Sequence, residues 1–203
     1  MSHNWMEHAW PIIGGESLLH VTMPGSHNSG NIPGNLTFDK HIARMDRDWY
    51  RPYDYFRTLN QDMTDKEYQN AAISWMYHQE LQFADQLKAG ARFFHLRTWN
   101  SAQDNTTASI DTTWHHAPGF ISDYSMRIML QDIVDFLHKN PYEFVVLGLN
   151  NHRNFEPSAE IELYKDIINF IGHDESGLDM ITADDLGSSL QELKKNFPKK
   201  IFG

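Results

Sequence analysis

Cysteine is absent from the 203 residues. That excludes disulfide scaffolds, Cys-ligated zinc, iron–sulfur clusters and Cys nucleophiles. Basic residues are scarce beside acidic ones, 17 Lys and Arg against 27 Asp and Glu, for a formal charge of −10. A general nucleic-acid binder needs a basic face to neutralise phosphates, so that class is not expected. No run approaches the roughly 18 apolar residues that span a bilayer, so any membrane contact is expected to be peripheral. Met1-Ser-His-Asn-Trp-Met-Glu-His-Ala-Trp10 lacks the basic and apolar regions of a signal peptide. A cytoplasmic or membrane-peripheral location is the corresponding expectation.

Apolar and aromatic content is ample, at 40% and 13%, and supports one packed domain over 1–203. Leu18–Met23 reads as a strand stopped by Pro24-Gly25. Residues 30–70 carry Gly, Pro and mixed charges, and read as a long loop with one short helix. Helical spacing runs from Asn70 to Lys88 and stops at Gly90. Ala91–Trp99 reads as a strand with His95 and Arg97 on one face. Ile110–Trp114 reads as a strand leading into His115-His116. Ser122–Lys139 is an amphipathic helix, Phe144–Leu149 a strand buried on both faces, and Ser158–Ile171 a second helix. A third helix falls within Thr182–Asn196, and Lys199–Phe202 begins another strand. Strands alternating with helices predict an α/β fold with a mainly parallel sheet.

Chemistry concentrates where predicted strands end, the position at which barrel and open α/β folds build active sites. His27 and Asn28 follow the first strand, His95 and Arg97 lie near the end of the second, His115-His116 follows the third, and Asn150 follows the fourth. Two histidines and an arginine on one rim suit phosphoryl transfer. A neutral imidazole takes a proton from an attacking hydroxyl, and a protonated one gives a proton to the leaving oxygen. A guanidinium grips phosphate oxygens. With 12 histidines in the chain, some strand-end placements arise by chance. His95 reads more readily as a supporting residue than a catalytic one. His78 and the remaining histidines read as core or surface residues. No His-x3-His or His-Glu-x-x-His spacing occurs, so a histidine metal site is not expected.

The chain resembles the phosphatidylinositol-specific phospholipase C X-domain family, closest to its X-domain-only, metal-independent branch. The resemblance rests on Asn4-Trp5-Met6, Met23-Pro-Gly-Ser-His-Asn-Ser29, His78-Gln79, Gln86-Leu-Lys-Ala-Gly-Ala-Arg-Phe-Phe-His-Leu-Arg97, His115-His-Ala-Pro118, Phe136-Leu137 and Asn140-Pro-Tyr-Glu-Phe-Val-Val-Leu147, in the family's order. It implies an irregular (βα) TIM-type barrel, of which this chain holds the first five or so strands. It also implies cleavage of the phosphodiester of a phosphatidylinositol-type lipid, without a cofactor. His27 would be the general base acting on the inositol 2-hydroxyl and His116 the general acid for the diacylglycerol oxygen. Arg97 would stabilise the phosphate, with Asn28, His95, His115 and Asn150 binding substrate or supporting the site. The chain departs from the family where His95 replaces an acidic residue, Asn150 stands at a position that is Glu in calcium-dependent members, and Ala117 replaces Gly. A calcium site is therefore not expected, because Ca²⁺ prefers several anionic oxygens. The carboxylate that orients the base in the family comes from the barrel's second half. Two other readings stay open: a degenerate domain that binds phosphoinositide without turnover, and a phosphodiesterase acting on other esters. The aromatic segment Trp49–Phe56 could meet a lipid interface or pack on the barrel.

Overall fold

A computed structural model of the chain describes residues 3–32, 36–37, 62–64, 66–67, 70–71, 74, 78–100, 110, 114–116, 121–122, 125–153, 157–172, 178–181, 183–196 and 199–202. At 36–37, 114–116, 121–122, 151–153, 178–180, 183 and 199–202 the description is of backbone alone. The segment Trp49–Phe56 lies outside the described residues.

The fold is mixed α/β. Helix α1 (Trp5–Ile13) leads to β1 (Gly25–Ser26) and β2 (Leu36–Thr37), then α2 (Phe83–Lys88) and β3 (Phe93–Asn100). There follow β4 (Trp114–His116), β5 (Ile121–Ser122), α3 (Met126–Lys139) and β6 (Val145–Arg153). The described chain closes with α4 (Pro157–Gly172), β7 (Leu178–Ile181), α5 (Leu190–Asn196) and β8 (Lys199–Phe202). The main sheet runs β1-β3-β6-β8-β7, every neighbouring pair parallel. β4 joins β3 antiparallel, and β2 and β5 form a separate antiparallel ribbon. In this order β8 lies between β6 and β7, unlike the consecutive order of a simple barrel.

Alternation along β3 sets the layers. Phe94 and Leu96 are buried and join Phe83, Leu87, Met129, Leu130, Ile133 and Leu147 in the main core. Phe93, His95 and Arg97 occupy the other face. That face is floored by glycine: a Cβ at Gly25 would meet Phe93 Cβ at 3.0 Å, and one at Gly148 would meet the Phe93 ring at 2.7 Å. A second cluster joins Met6 of α1 to Leu18, Phe144, Ile181, Leu190 and Leu193.

Local signals explain the helix ends. The Ser125 side chain accepts from the Ile128 amide and caps α3, and Asn140 Nδ2 donates to the Phe136 carbonyl at its end. Ser189 and Glu192 cap α5 reciprocally, side chain to amide in both directions. At the end of α2, Gly90 N–H donates to the Leu87 carbonyl and Ala91 N–H to that of Gln86. Closing the helix this way takes a left-handed residue, and Gly90 sits at φ 107°.

The structure departs from the sequence reading at several points. Leu18–His20 is a 3-10 turn rather than a strand, because the Ser17 hydroxyl caps the Leu19 amide. Pairing begins only at Gly25–Ser26, after the Pro24 carbonyl takes the Arg92 and Phe93 amides. The expected helix 70–88 is broken. The His78 and Gln79 amides both turn to the Asn31 carbonyl, and α2 starts at Phe83. Helix α3 begins at Met126, since Ser122 belongs to β5. The third helix expected within Thr182–Asn196 is found there, at Leu190–Asn196, with a 3-10 turn at Ala183–Asp185 before it. Of the expected strand Ile110–Trp114, residues 111–113 lie outside the described residues; the strand β4 takes in Trp114–His116, so both histidines sit within it, and it runs antiparallel to β3.

At the N-terminal ends of the strands, Arg92 and Glu143 form a fully buried ion pair at 2.7 Å. Arg92 Nη1 also donates to the Leu87 and Ala91 carbonyls, and Nη2 donates to that of His3. Glu143 Oε1 accepts the Glu7 amide. One pair thereby fastens α1, the end of α2 and the starts of β3 and β6.

Candidate active site

The candidate site is built on the turn after β1. Asn28 adopts φ 50°, a left-handed conformation that Asn tolerates better than most residues. The turn is held from three sides. The Asn28 amide donates to His95 Nδ1 (3.3 Å) and the Ser29 amide to the His95 carbonyl (3.0 Å). Gln79 Nε2 donates to the His27 carbonyl (2.8 Å), and Gln86 Nε2 to the Ser29 carbonyl (2.9 Å). Ser26 and Ser29 close it internally through their hydroxyls at 2.7 Å. Asn28 is buried, and its side-chain oxygen has no hydrogen-bond partner among the described residues.

This clamp presents His27 with its ring stacked on His95, centroids 4.7 Å apart and planes 12° from parallel. His78 meets the same ring edge-on at 5.9 Å, and Asn31 Nδ2 lies 3.0 Å from His78 Nδ1. Partial burial is the main cause that lowers the His27 pKa, and the charges of His95, His78 and Arg97 add to it. The shift favours the neutral imidazole, the form a general base requires.

Arg97 lies two residues beyond His95 on the same face, in register with Asn150 of β6. β4 carries His115 and His116 to positions opposite Trp99 and Thr98; their side chains lie outside the described residues. The topology thus gathers the backbone positions of all seven residues singled out in the sequence around one end of β1, β3, β4 and β6. His95 and Arg97 lie within β3, as expected, whereas Asn150 sits inside β6, which runs to Arg153, rather than after it. Sequence reasoning also set His78 aside as a core or surface residue, yet it stands against His27. The one sequence signal was its place beside Gln79, just before α2.

Among the described residues no group of three or more His, Cys, Asp or Glu side chains is arranged to hold a metal ion. A cleft of about 580 Å³ lies elsewhere, between α2, α3 and His3. It is lined in part by Lys88, Asp132, Asp135 and Lys139 and contains none of the residues above. Burial, with Asp135 close by, raises the Asp132 carboxyl pKa there.

Residues 61–168, just over half of the chain, match the family model of the phosphatidylinositol-specific phospholipase C X domain, and the chain belongs to that family. The matched stretch holds His95, Arg97, His115, His116 and Asn150; His27 and Asn28 precede it. Among solved structures, the fold is similar to that of the Staphylococcus aureus phosphatidylinositol-specific phospholipase C studied for modulation of its membrane binding. TM-score is 0.60 at 18% identity, over 99% of this chain and 52% of that one. A mutant of the same S. aureus protein gives TM-score 0.54 at 20% identity, over 98% and 50%. The chain therefore spans about half the length of these solved proteins. No curated protein matches it in sequence. Among the described residues no helix is long and apolar enough to cross a membrane.

Proposed function

We propose that this chain is a phosphodiester-cleaving domain acting on phosphatidylinositol-type lipids by two-histidine general acid/base catalysis, without a metal ion. His27 takes the proton of the inositol 2-hydroxyl as that oxygen attacks phosphorus. The bond from phosphorus to the glycerol oxygen breaks, and His116 protonates the departing diacylglycerol oxygen. The inositol leaves as a cyclic phosphate. Arg97 offsets the negative charge that builds on the phosphoryl oxygens. Asn150 and Asn28 bind around the headgroup, and His115 supports His116. The sheet is read as part of an irregular TIM-type barrel whose rim meets the lipid surface as a peripheral contact.

The observation that carries this reading is the His27 ring. Its backbone is clamped at the end of β1, the ring is stacked on His95, and burial and the nearby basic groups, Arg97 among them, displace its pKa downward. A second reading, a phosphoinositide-binding domain without turnover, is favoured by one feature. The charged groups acting on His27 among the described residues are His95, His78 and Arg97, all basic, whereas an orienting carboxylate strengthens a catalytic histidine. The test is release of diacylglycerol from phosphatidylinositol vesicles, with and without chelator, by the wild type, His27→Ala and His116→Ala. Chelator-resistant turnover that falls by about 10²–10⁴-fold in each variant supports the enzyme. Absence of turnover, with vesicle binding lost in Arg97→Ala, supports the binding domain.

A further inference from the structure

We propose that His95 is a positioning residue for His27: its ring, pinned by the Asn28 amide, is the platform that fixes the plane of the His27 ring. The proposal rests on the reading of His27 as the general base.

Three contacts define the arrangement. The Asn28 N–H points at His95 Nδ1. A backbone amide can only donate, so Nδ1 is the acceptor and the neutral ring carries its proton on Nε2. The neighbouring Ser29 amide grips the His95 carbonyl, so residue 95 holds the turn by both ring and backbone. The His27 ring then lies flat on this fixed ring.

A flat aromatic partner does two things that a carboxylate at the same position would not. It sets the plane of the His27 ring, and with it the direction of the lone pair that receives the proton. It also offers no negative charge to stabilise an imidazolium. The other groups facing His27 act in the same sense: Arg97 from β3, and His78 from the segment before α2. The consequence is a His27 ring whose pKa is displaced downward, in favour of the neutral form.

The test is an NMR titration of histidine-labelled protein, in the wild type, His95→Asn and His95→Asp, beside the pH profile of kcat/KM on phosphatidylinositol vesicles. Asn keeps an acceptor for the Asn28 amide and removes the aromatic ring. Asp adds a negative charge. The His27 midpoint is expected to rise by about half a unit in His95→Asn and by about one unit or more in His95→Asp. The ring-current shift of His27 should change in both as the stacked His95 ring is lost, and the acid limb of kcat/KM should follow the midpoint. An unmoved His27 midpoint and ring-current shift overturn the proposal, and His95→Asn alone suffices if the Asp variant does not fold. Midpoints that rise while the acid limb stays put uphold the coupling and instead overturn His27 as the base.

Discussion

The two ends of the parallel strands are built on opposite rules. At the N-terminal end, Arg92 and Glu143 are fully buried and matched in charge, and the Arg92 donors reach main-chain carbonyls. At the C-terminal end, three imidazoles and a guanidinium sit close together, a non-glycine residue holds a positive φ, and a buried Asn oxygen lacks a described partner. The first arrangement leaves each buried charge paired and hydrogen-bonded. The second gathers groups of like charge and leaves the Asn28 oxygen without a described partner, which suits the phosphate chemistry proposed above. In α/β folds with the active site at the strand C-termini, stability and chemistry divide along the strand in this way.

The comparison can be broken most sharply at the lower end. Arg92→Met leaves Glu143 as an unpaired buried charge and should cost about 3–5 kcal/mol. Thermal or denaturant melting would show it, and a further Glu143→Leu change should recover part of the loss. A second removal that deepens the loss would contradict the account of the pair. On the sheet face that carries the site, Gly25→Ala drives a Cβ against the Phe93 backbone and Cβ. It should cost about 1–3 kcal/mol and disturb the turn bearing His27, so activity should fall further than the shift in melting explains. The smallest effect is expected at the start of α3. Ser125→Ala removes the cap of α3 for about 1 kcal/mol, with kcat/KM on phosphatidylinositol unchanged.

Much of this arrangement is legible in the sequence. Pro24-Gly25 marks the turn, the alternation from Phe93 to Arg97 separates core from site, and the 126–137 periodicity places α3 on the sheet. What stays hidden is tertiary. Nothing local tells that the His78 amide will leave a helical pattern to bond Asn31, or that its ring will meet His27. A strand as short as Trp114–His116 carries no direction, so its antiparallel pairing is invisible. The partners Arg92 and Glu143 are 51 residues apart, and each alone reads as an ordinary charged residue. Position 95 was legible as a departure from the family's acid, but only the stacked ring suggests what the departure does.

The most direct measurement compares His27→Ala with the wild type in two readouts on the same protein: thermal melting and phosphatidylinositol cleavage. The account predicts that turnover falls by about 10²–10⁴-fold while the melting free energy stays within about 0.5 kcal/mol, as for an exposed side chain. A large loss of stability, or turnover that persists, would contradict it.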